Sequence, residues 1–282
     1  MAYGPWIGRL SLGSGNVCSE GKSTTISAHS GTVRSVRFAS NGRMLLTASD
    51  DKTVKIWALP TQRFMFTLSG HMNWVRTAEF SPDCRLAVSG GDDKTMRLWD
   101  IGSKQLLRLY DDNQSVINSV AFHPDGTCIA AAGTDKVIRV WDIRCSTLPA
   151  FPARITYITA TVVLAQTSVH ERRSNQLIQS YAAHNGAVTR VSWHPSGNFL
   201  LTTSLDSTLK IWDVREGQLF YTLHGHEGAV YDCCFSPAGD FFASAGCDEQ
   251  VLLSCSNSCS CCLLPAIICC VPHLIKIWGV YW

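Results

Sequence analysis

Apolar and polar residues alternate with a period of two through most of the chain, in short runs closed by turn residues. Thr32-Val-Arg-Ser-Val-Arg-Phe is closed by Asn41-Gly42, and Met44-Leu-Leu-Thr-Ala-Ser by Asp50-Asp51. Thr53-Val-Lys-Ile-Trp and Phe64-Met-Phe-Thr-Leu follow. Runs of this length, bounded by Asn-Gly, Pro-Asp and Asp-Asp, predict short antiparallel strands. The pattern then repeats. Trp57, Trp99 and Trp141 are evenly spaced, and each ends a phrase of the form Asp-Lys-Thr-Val-Lys-Ile-Trp. A fourth copy ends at Trp212, and His29, His71, Asn113 and His184 stand at one fixed distance before the four tryptophans. A fifth unit runs from His226 to Asp248 and lacks its tryptophan at position 254. Four strands in every such repeat are one blade of a β-propeller. The predicted fold is therefore all-β, with five recognisable blades.

The register breaks twice. The step from Trp141 to Trp212 exceeds the regular one by the length of 145–173, and skipping that segment restores the normal distance to His184. Skipping 252–275 joins Val251 to Lys276-Ile-Trp278 and supplies the missing tryptophan. The domain organisation is then a non-repeat segment, 1–21, and a propeller, 22–282, interrupted at those two places. Two origins fit: retained intervening sequence in the transcript, or loop insertions of which the second splits a central strand.

Composition narrows the class only a little. With 46% hydrophobic and 16% charged residues and nine tryptophans, the 282-residue chain can bury a large core and is not disordered. A net charge of +2 gives no steer toward nucleic acid or a membrane surface. No apolar run reaches the about 20 residues of a membrane-spanning helix, and the start does not read as a secretory signal. These features set the expectation of a cytoplasmic protein with reduced thiols. Six of the 13 cysteines crowd between Cys255 and Cys270. Cys259-Ser-Cys-Cys262 has a zinc-like spacing, but Cys269-Cys270 are adjacent and chelate one tetrahedral ion poorly. No metal and no cofactor are expected; palmitoylation or a disordered hydrophobic insert are the other readings of this stretch. Residues 155–169 are strand-prone and nearly uncharged, an aggregation risk unless paired.

Gly70-His71, Gly225-His226 and the Trp-Asp pairs at 99–100, 141–142 and 212–213 resemble the WD40-repeat family. The resemblance implies a shared hydrogen-bond network of His, Ser/Thr, Asp and Trp in each blade. By position the sets are His29, Thr47, Asp51, Trp57; His71, Ser89, Asp93, Trp99; and His184, Thr202, Asp206, Trp212. The third unit keeps Asp135 and Trp141 but has Asn113 and Ala131, which predicts a weak network. The fifth has His226, Ser244 and Asp248. A buried imidazole needs partners on both nitrogens, which explains the residue types. A His–Asp–Ser set also suggests a hydrolase triad, but one active site needs one copy, and this set recurs. With no phosphate-binding glycine loop and no lone nucleophile beside a base, no enzyme is expected.

Lys55, Arg97, Arg139, Lys210 and Lys276 share the position two before each tryptophan. They read either as outward-facing strand residues with long side chains or as a basic band for an acidic partner such as a tubulin tail. Trp74 stands where other units have Thr32, Val116, Ala187 or Ala229. With Asn73 and Arg76 it has the composition of a partner anchor; local packing is the competing role.

Longer phrases are more specific. Thr47-Ala-Ser-Asp-Asp-Lys-Thr-Val-Lys-Ile-Trp, His71-Met-Asn-Trp-Val-Arg, Phe122-His-Pro-Asp-Gly-Thr-Cys-Ile-Ala-Ala-Ala-Gly and Leu219-Phe-Tyr-Thr-Leu-His-Gly-His resemble the proteome-of-centriole protein 1 family. That resemblance implies a scaffold of centrioles and basal bodies, supporting cilium formation, with centriolar proteins and tubulin or microtubules as partners. It also implies a place in the cytoskeleton, and neither nucleic acid nor membrane as a ligand. The family has seven units and a helical tail, whereas five units match here. Residues 22–28 read as an outer strand that either completes the last blade, closing a five-bladed ring, or leaves an open arc. A second resemblance is weaker. Ile211-Trp-Asp-Val-Arg215, and again the stretch from Ile129 to Arg144, resemble the box of substrate receptors of cullin-RING ubiquitin ligases, with Arg144 and Arg215 as the box arginines.

Overall fold

The computed structural model describes residues 9–14, 22–59, 61–111, 113–144 and 176–255, and among these every regular element is a strand. A two-stranded sheet comes first, β1 (Arg9–Ser14) with β2 (Lys22–Ser27). Blade one follows as β3 (Val33–Phe38), β4 (Met44–Ser49), β5 (Thr53–Ala58) and β6 (Arg63–Ser69). Blade two is β7 (Val75–Phe80), β8 (Leu86–Gly91), β9 (Met96–Asp100) and β10 (Gln105–Tyr110). Blade three is β11 (Ile117–Phe122), β12 (Cys128–Gly133), β13 (Val137–Asp142) and β14 (Gln176–Ala182). Blade four is β15 (Val188–Trp193), β16 (Phe199–Ser204), β17 (Thr208–Asp213) and β18 (Gln218–His224). Blade five has three strands, β19 (Val230–Phe235), β20 (Phe241–Gly246) and β21 (Val251–Cys255).

Each blade is an antiparallel meander in chain order. A bulge recurs near the start of every first strand, between Val33 and Ser35 in blade one and at the equivalent places in the others. Bulges increase the local twist, and here each re-aims the strand in the same way. The innermost strands β3, β7, β11, β15 and β19 pack in sequence order. Apolar residues that alternate along each strand fill the layers between blades. Leu46, Ala48, Val54 and Ile56 of blade one meet Val75, Ala78, Phe80, Ala87 and Trp99 of blade two. The same packing joins blades two and three, three and four, and four and five.

Both breaks in the repeat have a structural counterpart. The first lies between β13 and β14, which pair with Trp141 opposite Leu177, as Trp57 pairs with Phe64 and Trp212 with Leu219. At the second, β21 runs unbroken and recruits the first residues of the extra segment. Leu252 stands opposite Ser244 as Lys55 stands opposite Thr47, and Ser254 takes the tryptophan position, opposite Phe242. The expected outer strand at 22–28 does exist as β2, but it pairs with β1 and does not complete blade five. Leu10 faces Ile26 and Ser11 faces Thr25, the backbone register of Val54 with Leu68 and Lys55 with Thr67. The β1–β2 pair thus copies the outer half of a blade. Ile26 packs on the cluster of Ala28, Leu45 and Trp57, as Val36 of blade one does.

Candidate functional site

The loop before each first strand and the turn after each second strand meet at one end of every blade. In blade one, His29 Nδ1 lies 2.7 Å from Asp51 Oδ2 and Nε2 lies 2.8 Å from Thr47 Oγ1. Trp57 Nε1 donates to the same hydroxyl over 3.1 Å. A carboxylate only accepts, so the imidazole proton is on Nδ1, and the Thr47 hydroxyl donates to Nε2 while accepting from the indole. Blade two repeats the set, with His71 at 2.8 Å from Asp93 and 2.7 Å from Ser89, and Trp99 donating to Ser89 over 2.8 Å. In blade four His184 contacts Asp206 at 3.2 Å and Thr202 at 2.9 Å, and Trp212 donates to Thr202. Blade five joins His226, Asp248 and Ser244 at 2.8 and 2.9 Å, with Ser254 where an indole stands elsewhere.

Blade three differs. Ala131 offers no hydroxyl, and Trp141 Nε1 and Asn113 Nδ2 are buried without a hydrogen-bond partner. Asp135 is held instead by Arg139 Nη1 at 2.5 Å, and its backbone amide donates to Ser115.

These networks tie strands together and have no route to a substrate, because Thr47, Ser89 and Thr202 are wholly buried. In blades one and four, burial favours the neutral imidazole. Burial pushes His184 down to about 4 against the opposing pull of Asp206, and lowers His29 likewise. Burial alone would raise Asp93, but hydrogen bonds and charge from His71, with the Met72 amide, bring it down to about 2. Asp206 and Asp51 are lowered in the same way, with burial opposed by hydrogen bonds led by Thr208 and Thr53.

The basic residues two before the tryptophans do not form an outer band. Lys55 Nζ donates to Ala28 O at 2.8 Å, Arg97 is buried beside Gly70 and Asp93, and Arg139 holds Asp135. They share the strand face of the tetrad residues, so their charge is spent inside the blade end; Lys210 is half-buried, and Lys276 lies outside the described residues.

Trp74 is exposed at the same end of blade two. The Arg34 guanidinium of blade one lies over its ring at 5.6 Å, a cation–π contact, and is itself gripped by both Asp50 oxygens at 2.8 Å. Arg76 is bound by Asp92, and Asn73 Oδ1 accepts from the Trp74 amide. Trp74 therefore has a packed face and an open face. Arg34 is the residue that the sequence reading missed; its signal was the shared position of Arg34 and Arg76, each paired with the aspartate that precedes the tetrad aspartate of its blade.

At the opposite end, Arg144 is exposed and folded back on Asp142, while Arg215 lines a groove of about 300 Å³ with His123, Trp193, Gln179 and Val214. Among the described residues no group of His, Cys, Asp and Glu could hold a metal ion. The clustered cysteines Cys259, Cys261, Cys262, Cys269 and Cys270, and residues 155–169, lie outside the described residues.

Five antiparallel blades, each with the same end-of-blade position for His or Asn, define a repeat-built β-propeller architecture. Comparison with known families agrees blade by blade: the WD40 family, described as WD domain, G-beta repeat, matches residues 21–58, 62–100, 104–142, 175–213 and 217–263. The chain belongs to the WD40 repeat family. WD40 domains typically mediate protein–protein interaction and are generally non-catalytic scaffolds. A comparison with curated proteins gave no match.

Proposed function

We propose that this WD40 protein is a non-catalytic interaction scaffold of centrioles and basal bodies, docking protein partners through the blade end that carries Trp74. One observation carries the docking site. Trp74 keeps an open aromatic face on a rigid support, while the equivalent residues Thr32, Val116, Ala187 and Ala229 are small or β-branched. Exposed, pre-ordered tryptophan is the residue type most enriched among interface anchors. The centriolar reading rests on the longer phrases that resemble the proteome-of-centriole protein 1 family, and it implies centriolar components and tubulin as partners.

The test is a tagged chain expressed in ciliated cells, with microtubule co-sedimentation beside it. Enrichment at basal bodies that is lost in Trp74→Ala, with unchanged melting of that variant, is the expected result. A diffuse distribution of the wild-type chain, or capture of a ligase adaptor that depends on Arg215, would overturn the centriolar reading.

A further inference from the structure

The amides of Ser30, Met72, Asn185 and Glu227 donate to Asp51, Asp93, Asp206 and Asp248, which fixes each loop against the neighbouring turn. At the tip of that turn the backbone is left-handed at Lys52 (φ 69°), Lys94 (φ 63°), Lys136 (φ 66°), Ser207 (φ 63°) and Glu249 (φ 61°). The periodicity thus places one chosen side chain at the tip of each blade. Lys52, Lys94 and Lys136 are all exposed. Blade four has Ser207 instead, and blade five has exposed Glu249 and Glu227.

Charge at this end of the molecule is therefore divided between blades. Arg34 and Arg76 add little to the excess, because Asp50 and Asp92 neutralise them. Among the described residues Asp111 is the exposed carboxylate of this sector, against three exposed lysines. The same sector holds Met72, 76% exposed, and Trp74, 43% exposed, while blades four and five carry Leu205 and Tyr231 at this end without the lysines.

We propose that the blade ends of blades one to three bind an acidic polypeptide segment carrying one large apolar side chain. The apolar group seats on Trp74 and Met72, and the flanking carboxylates meet Lys52, Lys94 and Lys136. The inference rests on the scaffold reading above and adds the chemistry of the partner. Exposed ion pairs contribute about 0–1 kcal/mol each, so the apolar contact anchors the segment. The lysines select its charge and speed its arrival.

The test uses the full chain and three short fluorescent peptides: Asp/Glu-rich with a central Phe, the same peptide with Ser for Phe, and a Lys-rich peptide with the Phe. Anisotropy at low and high salt reads the binding. The first peptide is expected to bind at least about tenfold tighter than either other, and Trp74→Ala to weaken it about tenfold. Changing all three lysines to serine, the blade-four residue, is expected to weaken binding at low salt and flatten its salt dependence. Thermal melts of both variants should overlay the wild type. Equal binding of the Lys-rich peptide, or acidic-peptide binding untouched by both variants, overturns the inference. Basal-body enrichment that survives the triple lysine variant would also overturn it while leaving the scaffold reading in place.

Discussion

At the scale of single residues, blade three is the informative exception. In blades one, two and four one hydroxyl serves both the imidazole and the indole. Blade three has Ala131 there, and Trp141 Nε1 and Asn113 Nδ2 go without partners. Ala131→Ser is expected to stabilise the chain by about 1 kcal/mol, the net value of a typical hydrogen bond. Ser89→Ala should cost about 1–3 kcal/mol, because it orphans His71 Nε2 and Trp99 Nε1 together. Urea unfolding checks both; a silent Ser89→Ala would remove the network from the account of stability. The same residues set an acid limit. His184 titrates near 4 in the fold and near 6.5 when unfolded, so the unfolded chain takes the proton first. Its contribution is complete above pH 6.5 and is lost as pH falls toward 4. Asp93 adds a second loss between 3.8 and about 2. Glu79 runs the other way: burial raises it from 4.5 to about 7, against Arg37, so its contribution fades as pH rises through that window. Between about pH 6.5 and 4.5 the His184 loss and the Glu79 gain oppose each other. Melting temperature should therefore fall steeply only below about pH 4.5, where the Asp93 loss joins that of His184, and Glu79→Gln should stabilise at about pH 8 but not at about pH 4. The tetrad positions were legible in the sequence because a fixed period marks them. The direction of Lys55, Arg97 and Arg139 was not, since strand alternation tells which face a residue takes but not what covers that face.

At the scale of elements, the two extra segments make opposite predictions. Skipping 145–173 joins Arg144 to Ser174-Asn175-Gln176, parallel to Arg215-Glu216-Gly217-Gln218 in blade four. Gly217 is left-handed there (φ 70°), and asparagine is the side-chain-bearing residue that best tolerates that conformation. Since β13 and β14 already pair in the standard register, deleting 145–173 should leave the melting temperature unchanged or higher. Deleting 252–275 changes a strand. It replaces Leu252-Leu-Ser254 with Lys-Ile-Trp, and the new indole falls opposite Phe242, within the set that holds Ser244 and His226. That deletion should raise the melting temperature, and a fall would show that β21 as it stands is the better-packed strand. Sequence periodicity exposed both segments as breaks. It did not foresee that Leu252–Cys255 would serve as strand, because any alternating apolar run can occupy a β register. Nor did it foresee β1, whose run Arg9-Leu-Ser-Leu-Gly-Ser lacks the Trp phrase that marks the third strands of blades one to four.

At the scale of the whole molecule, the ends of the blade series differ from its middle. Phe80, Phe122 and Trp193 are 5%, 6% and 8% exposed because each lies on the preceding blade, whereas Phe38 of blade one is 61% exposed. Blade five shows the matching deficit, with Val251 and Leu253 at 55% and 54% in positions that are buried in every other blade. Ile26 of β2 packs on blade one beside Leu45 and Trp57. Among the described residues these two exposed faces are the two halves of the interface that recurs between consecutive blades, and burying one such side chain contributes about 1.5–3 kcal/mol. A contact between unlike faces is heterologous and grows head to tail. Sedimentation velocity should therefore show association that rises with concentration and does not stop at a dimer. Phe38→Lys blocks one end and Leu253→Lys the other, so either variant alone should sediment as a monomer. Mixed together, they should form a dimer and nothing larger, because one free end of each kind remains. Monomers in that mixture, or unchanged association of either variant alone, would show that the end faces do not meet.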